Sequence, residues 1–118
     1  MIRKGDIFWV DLEEVYGYNA PHMQKGVRPC VVVSNKYNNE HNSFIQIMPL
    51  TTKYDGLPQH VRVDIKKTSY CMPEFLVSIP KSMLKEYYGN IHGKMYKFVE
   101  KAIKIQLGLW KGGEYERY

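Results

Sequence analysis

Apolar positions along this chain repeat with a period of two through most of its length and switch to a helical period in the last third. Asp6 to Leu12 is rich in aromatic and β-branched residues and predicts a strand. Residues 13–27, EEVYGYNAPHMQKGV, break the alternation with two glycines and a proline, which predicts a long loop. A loop of that length in a small domain is usually functional. Pro29 to Ser34 predicts a second strand, with the proline tolerated at its first position. The polar, asparagine-rich run from Asn35 to Asn42 predicts a turn. Phe44 to Leu50 alternates again, with Ile45 and Ile47 on one face and Phe44, Gln46 and Met48 on the other. After a polar loop from Thr51 to Gln59, His60 to Ile65 predicts a fourth strand and Glu74 to Ile79 a fifth. Pro80 to Leu84 predicts a short helical turn with Pro80 in its first position. Met95, Val99, Ala102, Ile103 and Leu107, flanked by Phe98, Ile105 and Leu109, fall at helical spacing, and Gly112-Gly113 is expected to end that helix. Five short strands followed by one helix predict an α+β plan, a small curled antiparallel barrel covered by a helix. With no internal repeat or linker, a single domain spanning residues 1–118 is expected.

Composition narrows the class. The chain is 44% hydrophobic and 25% charged, and no apolar run approaches the roughly 18 residues a membrane helix needs. The opening MIRKGDIFWVDL carries no long apolar stretch or small-residue cleavage site, so a cytoplasmic protein without membrane attachment is expected. Its two cysteines, Cys30 and Cys71, suit buried free thiols in a reducing compartment. Lysine plus arginine exceed aspartate plus glutamate by 17 to 12, a net charge of +5, and 14% of residues are aromatic. That balance suits a nucleic acid or an acidic protein as partner.

The chemistry-bearing residues exclude several mechanisms. His22, His41, His60 and His92 lie far apart with no cysteine at ligand spacing, so no metal site is expected. No glycine-rich phosphate loop occurs, and no other cofactor motif. Arg28 is the exception to this blandness. It stands at the mouth of an apolar strand, and the following Pro29 restricts its backbone to extended conformations. Gln24 and Lys25 stand just upstream. An exposed or ion-paired arginine is the ordinary reading, but the group resembles an anion clamp, because a guanidinium matches phosphate bidentately. Thr51, Thr52 and Lys53 follow the third strand. If the second and third strands form a hairpin, antiparallel geometry puts Arg28, at the start of one, beside Thr51, at the end of the other. Lys94, Lys97, Lys101 and Lys104 read as a solvated helix face. Tyr16, Tyr18 and Tyr54 fall in loops, where they either stack on bases or pack on the barrel. His22 and His60 titrate in the range a proton acceptor needs, although a strand-start histidine bonded to backbone explains His60 equally well.

The segments GDIFWVDL, GVRPCVVVSN, IMPLTTK, PQHVRVD and SIPKSML, followed by the apolar terminal helix, occur in an order that resembles the MazF/PemK toxins of bacterial toxin–antitoxin pairs, over roughly residues 4 to 109. The resemblance implies an SH3-like barrel that forms a homodimer and cleaves single-stranded RNA without metal at short preferred sequences. It also implies inhibition by an acidic, partly disordered antitoxin that covers the RNA groove. It puts the family's essential arginine at Arg28 and its essential threonine at Thr51, with His22, Gln24, Lys25, Asn35, Thr52, Lys53 and His60 as RNA-contacting candidates. The implied reaction is attack of a ribose 2′-OH on its own 3′-phosphate. Two departures stand out. A glutamate–glutamine–isoleucine–arginine run common in the family reads Glu74-Phe75-Leu76-Val77 here, so its arginine is missing, and the loop of residues 13–27 carries Pro21-His22-Met23. Two other readings share the fold, a non-catalytic nucleic-acid-binding barrel and a gyrase poison. The latter expects a tryptophan–glycine–isoleucine end, whereas this chain ends Glu116-Arg117-Tyr118.

Overall fold

The computed structural model describes residues 1–17 and 26–112. Strand β1 (Asp6–Asp11) runs into a short helix α1 (Leu12–Tyr16), capped by the Asp11 carboxylate on the backbone N–H groups of Glu13 and Glu14. Strand β2 (Val27–Val32) is joined to β3 (Phe44–Thr51) through α2 (Lys36–His41). Strands β4 (Arg62–Asp64), β5 (Thr68–Cys71), β6 (Val77–Pro80) and β7 (Tyr87–Asn90) follow, and α3 (Tyr96–Gln106) closes the described fold. All strand pairs are antiparallel, in the order β4-β5-β3-β2-β1-β7, with β6 also paired to β3.

The sheet curls because β3 changes neighbours along its length. Phe44 to Ile47 pair with β6, whereas Leu50 and Thr51 pair with β5. Pro49, which has no N–H to donate, stands at the changeover, and its carbonyl accepts from Met72 N–H at 3.0 Å. The result is an open half-barrel with two distinct faces. Because successive strand residues alternate in direction, Ile7, Val31, Met48, Leu50, Val63 and Cys71 fall on one face. There they form a core with Ile91, Tyr96, Val99 and Ala102, so α3 lies over it. Val10, Leu12, Cys30, Val32, Ile45, Ile47 and Ile79 form a second core on the opposite face, against which Val15, Tyr16, Met83 and Leu84 pack.

The alternation expected for Phe44 to Leu50 is therefore real, but from Ile47 to Leu50 both faces are buried, while Phe44 at the strand's start is exposed. Several sequence-based expectations need correction. The chain has seven strands among the described residues rather than five, because Thr68–Cys71 and Tyr87–Asn90 also pair. The loop expected over residues 13–27 begins as helix, and its residues 18–25 lie outside the described residues. The polar turn of residues 35–42 is α2, a helix that Asn35 caps by accepting from Asn38 N–H at 2.9 Å. Glu74 belongs to a 3-10 turn (Pro73–Phe75) that precedes β6, and Pro80 ends β6 ahead of a second such turn (Lys81–Met83) instead of starting it. Helix α3 ends at Gln106, before Gly108 at φ 73°, so the Gly112-Gly113 stop is not the one used. Its buried stripe is Tyr96, Val99, Ala102 and Ile105, while Met95, Phe98, Leu107 and Leu109 are exposed. Tyr96 takes the first core position because its ring is as apolar as its hydroxyl is polar. Cys30 and Cys71 are buried free thiols, as expected.

Candidate active site

The second face does not stay apolar along its whole length. The β2–β3 register pairs Cys30 with Pro49, Val31 with Met48 and Val32 with Ile47. Carried outward by two residues, that register sets Arg28 opposite Thr51. On either side it is extended by observed pairs: Val10 opposite Arg28, Thr51 opposite Tyr70, and Tyr70 opposite Arg62. Residues directly opposite on neighbouring strands share a face. One row of side chains, Val10, Arg28, Thr51, Tyr70 and Arg62, therefore crosses five strands on the face of the second core. Val10 is buried beneath α1, and outward from it the row becomes polar and accessible.

Each member has a local reason to be where it is. Arg28 is exposed and, among the described residues, has no carboxylate within ion-pair distance. Its backbone is held on both sides, by β1 and, two residues on, by β3, and Pro29 and buried Cys30 follow it. Thr51 Oγ1 accepts a hydrogen bond from Lys53 N–H at 3.2 Å, which turns the chain back after β3. That bond occupies an oxygen lone pair and leaves the hydroxyl proton free to donate. Thr52 and Lys53 are exposed beside it. Arg62 carries a partner, Asp64, at 3.1 Å, with both side chains largely in solvent.

The other candidates are distributed differently. Asn35 caps α2 beyond the far end of β2, on the order of 20 Å along the strand from Arg28 at the usual rise per residue. His22, Gln24 and Lys25 lie outside the described residues, as does Tyr18. His60 precedes β4 and is sealed, its side chain 1% exposed. Its backbone N–H donates to Leu57 O, but the ring is not bonded to backbone. Nε2 meets Glu74 Oε2 at 2.6 Å, and Nδ1 faces Asp55 Oδ1 at 2.7 Å in a contact not aligned as a hydrogen bond. The two carboxylates thus bracket the ring from opposite nitrogens. They do not converge on a common point, and among the described residues no group of three or more His, Cys, Asp or Glu is arranged to hold a metal ion.

The 3-10 turn that carries Glu74 has a second tie. Tyr16, at the root of the segment leading to residues 18–25, donates its hydroxyl to Phe75 O and sets its ring edge-on to Phe75. Burial pushes the Tyr16 phenol up to about 12, helped by the nearby Cys30. Burial likewise raises the Cys71 thiol to about 12 and the Cys30 thiol higher still, so neither is poised as a nucleophile.

Tyr70 and Arg62 are the members of the row that sequence reasoning missed. The signal was weak: TSYC is a four-residue strand, and only its register reveals which residues stand beside Thr51.

Comparisons with known proteins agree with this architecture. Residues 3–107 match the family described as PemK-like, MazF-like toxin of type II toxin-antitoxin system. A curated relative, Endoribonuclease MazF of Staphylococcus saprophyticus, is 30% identical over 116 residues, covering 92% of this chain and 93% of its own. Among solved structures, an endoribonuclease in complex with its cognate antitoxin from a mycobacterial species superposes with a TM-score of 0.74 at 24% identity, over 93% of this chain and 97% of that one. MazF from Deinococcus radiodurans superposes with a TM-score of 0.69 at 20% identity, over 92% of this chain and 96% of that one. With a half-barrel, a terminal helix and a match over nearly its whole length, the chain belongs to the PemK-like, MazF-like toxins of type II toxin–antitoxin systems.

Proposed function

We propose that this toxin is an endoribonuclease that cuts single-stranded RNA by metal-independent transesterification, with Arg28 and Thr51 as its catalytic residues. The observation that carries the reading is the β2–β3 register, which, carried outward by two residues, brings an arginine with no carboxylate partner among the described residues and a threonine with a free hydroxyl proton to opposite positions on one face. Cleavage begins with attack of a ribose 2′ oxygen on the adjacent phosphorus. As the P–O2′ bond forms and the P–O5′ bond breaks, the products are a 2′,3′-cyclic phosphate and a 5′-hydroxyl. The 2′ oxygen loses its proton and the 5′ oxygen gains one. The substrate supplies the nucleophile, so the protein's task is to stabilise the negative charge that grows on the phosphorane.

Arg28 is suited to that task because its support is rigid and its charge permanent. A preorganised donor of this kind contributes about 10²–10³ in rate. Thr51 donates to a phosphate oxygen and helps hold the in-line geometry. His60, with its ring sealed, is unsuited to take the 2′ proton directly. Lys53 lies where it can meet the RNA backbone, which makes binding salt-dependent. The protein acts in the cytoplasm as a homodimer, and an acidic antitoxin occupies the basic RNA face to silence it. The relative solved with its cognate antitoxin supports that partner.

The test is incubation of the purified protein with mixed-sequence RNA in EDTA, with cuts mapped by their end groups. Discrete cuts ending in cyclic phosphate are expected. Arg28→Ala and Thr51→Ala should abolish them while circular dichroism and melting stay unchanged. Undiminished cutting by Arg28→Ala would remove that residue from the chemistry. RNA binding without cutting would favour the non-catalytic barrel.

A further inference from the structure

The segment between β3 and β4 does more than connect them. Tyr54 folds back so that its ring stacks on Tyr70, with centroids 4.8 Å apart and planes 28° from parallel. Tyr70 is the cross-strand neighbour of Thr51, so the stack stands next to the proposed catalytic threonine. Yet Tyr54 remains 59% exposed. One ring face is covered by Tyr70, so the exposure lies on the other face and the edge. An exposed tyrosine is ordinarily free to rotate away, but this one is carried on a braced segment. Asp55, the next residue, accepts from Leu57 N–H at 3.1 Å and contacts buried His60, whose other nitrogen meets Glu74 on the Pro73–Phe75 turn. Nε2 is hydrogen-bonded to Glu74, and Nδ1 is packed against the Asp55 carboxylate at 2.7 Å without an aligned hydrogen bond. The Asp55–His60–Glu74 line thus ties the loop to the body of the fold through a side chain that water does not reach.

From this we infer that Tyr54 is a base-stacking platform, held open beside Thr51 by the Asp55–His60–Glu74 clamp, that seats the nucleobase flanking the scissile phosphate. The inference rests on the reading of the Arg28–Thr51 row as an RNA site and adds a specificity-determining residue to it. The chemistry fits a nucleobase, since stacking on an aromatic face accepts any base and the adjoining Lys53 and Arg62 supply charge for the phosphates on either side. Tyr70 then acts as a positioning residue, holding the platform parallel to the base without touching it.

The experiment measures binding rather than cutting. Single-stranded oligonucleotides carrying 2′-fluoro in place of the 2′-hydroxyl have no nucleophile, and a scan in which each base in turn is removed reports which base the protein grips. Wild type is expected to lose affinity most at one abasic position. Tyr54→Ala should bind the intact oligonucleotide about 10-fold or more weakly, the scale of one lost base stack. It should also be indifferent to abasic substitution at that same position. Tyr54→Phe keeps the ring and should retain both the affinity and the abasic pattern. Glu74→Ala, which releases the clamp without altering the stack, should weaken binding through the same position and no other. The platform is overturned if Tyr54→Ala binds normally, or if its loss and the abasic loss simply add. The nuclease reading fails separately: a protein that shows this binding pattern but never cuts ordinary RNA overturns the chemistry and keeps the platform. One that cuts normally as Tyr54→Ala, with its cut sites unchanged, does the reverse.

Discussion

The two faces of the half-barrel use the same strands to opposite ends. On the face under α3, Val31, Met48, Leu50, Cys71 and Val63 continue the apolar rule to the edge of the sheet and are covered throughout. On the other, Val32, Cys30 and Val10 begin the same way, but the next positions outward are Arg28, Thr51, Tyr70 and Arg62. Neighbouring residues in a strand point to opposite faces, so each of these polar residues stands next in sequence to a core residue or a proline. Arg28 is followed by Pro29 and Cys30, Thr51 by chain from Leu50, and Tyr70 lies between buried Ser69 and Cys71. One face makes the sheet immobile, and the other uses that immobility to hold charged and aromatic groups in register.

Paired substitutions on the two faces break that comparison most sharply. Arg28→Ala should lower the cleavage rate about 10²–10³-fold while shifting stability by no more than about 0.5 kcal/mol, as is usual for an exposed position. Met48→Ala, three residues from Thr51 but on the closed face, should do the reverse. Deleting a fully buried methionine costs about 2–5 kcal/mol, and the rate per folded molecule should stay within about two-fold of wild type, as expected when no group contacting substrate is removed. Denaturant unfolding and cleavage assayed on the same samples give both numbers. If Met48→Ala lost activity in proportion to Arg28→Ala while still folded, the faces would not be functionally separate.

How far the sequence could be read follows the same division. Phe44–Leu50 was legible because seven residues of alternation leave little room for another period, although the strand runs one residue further to Thr51, and the Arg28–Thr51 neighbourhood followed from Pro29 and simple hairpin geometry. The row beyond Thr51 was not. Thr68–Cys71 and Tyr87–Asn90 are four residues each, too short for a pattern, and one holds a glycine. The clamp was equally hidden, since His60 takes its carboxylates from five residues before it and fourteen after. On α3 the periodicity was correct but the stripe was displaced, because Met95 and Phe98 look more apolar in isolation than Tyr96 does, and the fold buries the tyrosine.

The two cores, with one buried thiol each, also predict how the protein responds to alkali. The Cys71 thiol is raised from an ordinary 9.0 to about 12, and the Cys30 thiol also moves upward, both by burial. A thiol whose folded value lies above its unfolded one favours the native state fully below about pH 9 and loses that contribution as pH rises through the folded value. The unfolded chain binds fewer protons in that window, so stability should fall steadily between about pH 9 and 12. Equilibrium unfolding across that range measures the slope. In the native state at neutral pH both thiols should resist alkylation and react only after denaturation. Fast labelling of Cys71 would mean that the core under α3 opens locally, and fast labelling of Cys30 would mean the same of the core on the opposite face.

The smallest effect tests the open face at its most delicate joint. Tyr16 anchors α1 to the Pro73–Phe75 turn through its hydroxyl, and the same turn bears Glu74 of the clamp. Tyr16→Phe keeps the ring contact with Phe75 and removes only the hydrogen bond, for a loss of about 1 kcal/mol. Because the Tyr16 phenol is raised from 10.0 to about 12, chiefly by burial, the variant should also lose a share of the alkaline decline between those values. Its effect on RNA distinguishes two roles for the turn. If the turn is only a stability element, binding of uncleavable RNA by Tyr16→Phe matches wild type once both are fully folded. If the turn sets the posture of α1 and of the Tyr54 segment at once, affinity drops with no change in the fraction folded, and the drop shares its abasic position with that of Glu74→Ala. A change in affinity at a different position would separate α1 from the clamp and confine the turn's influence to the Tyr54 side of the row.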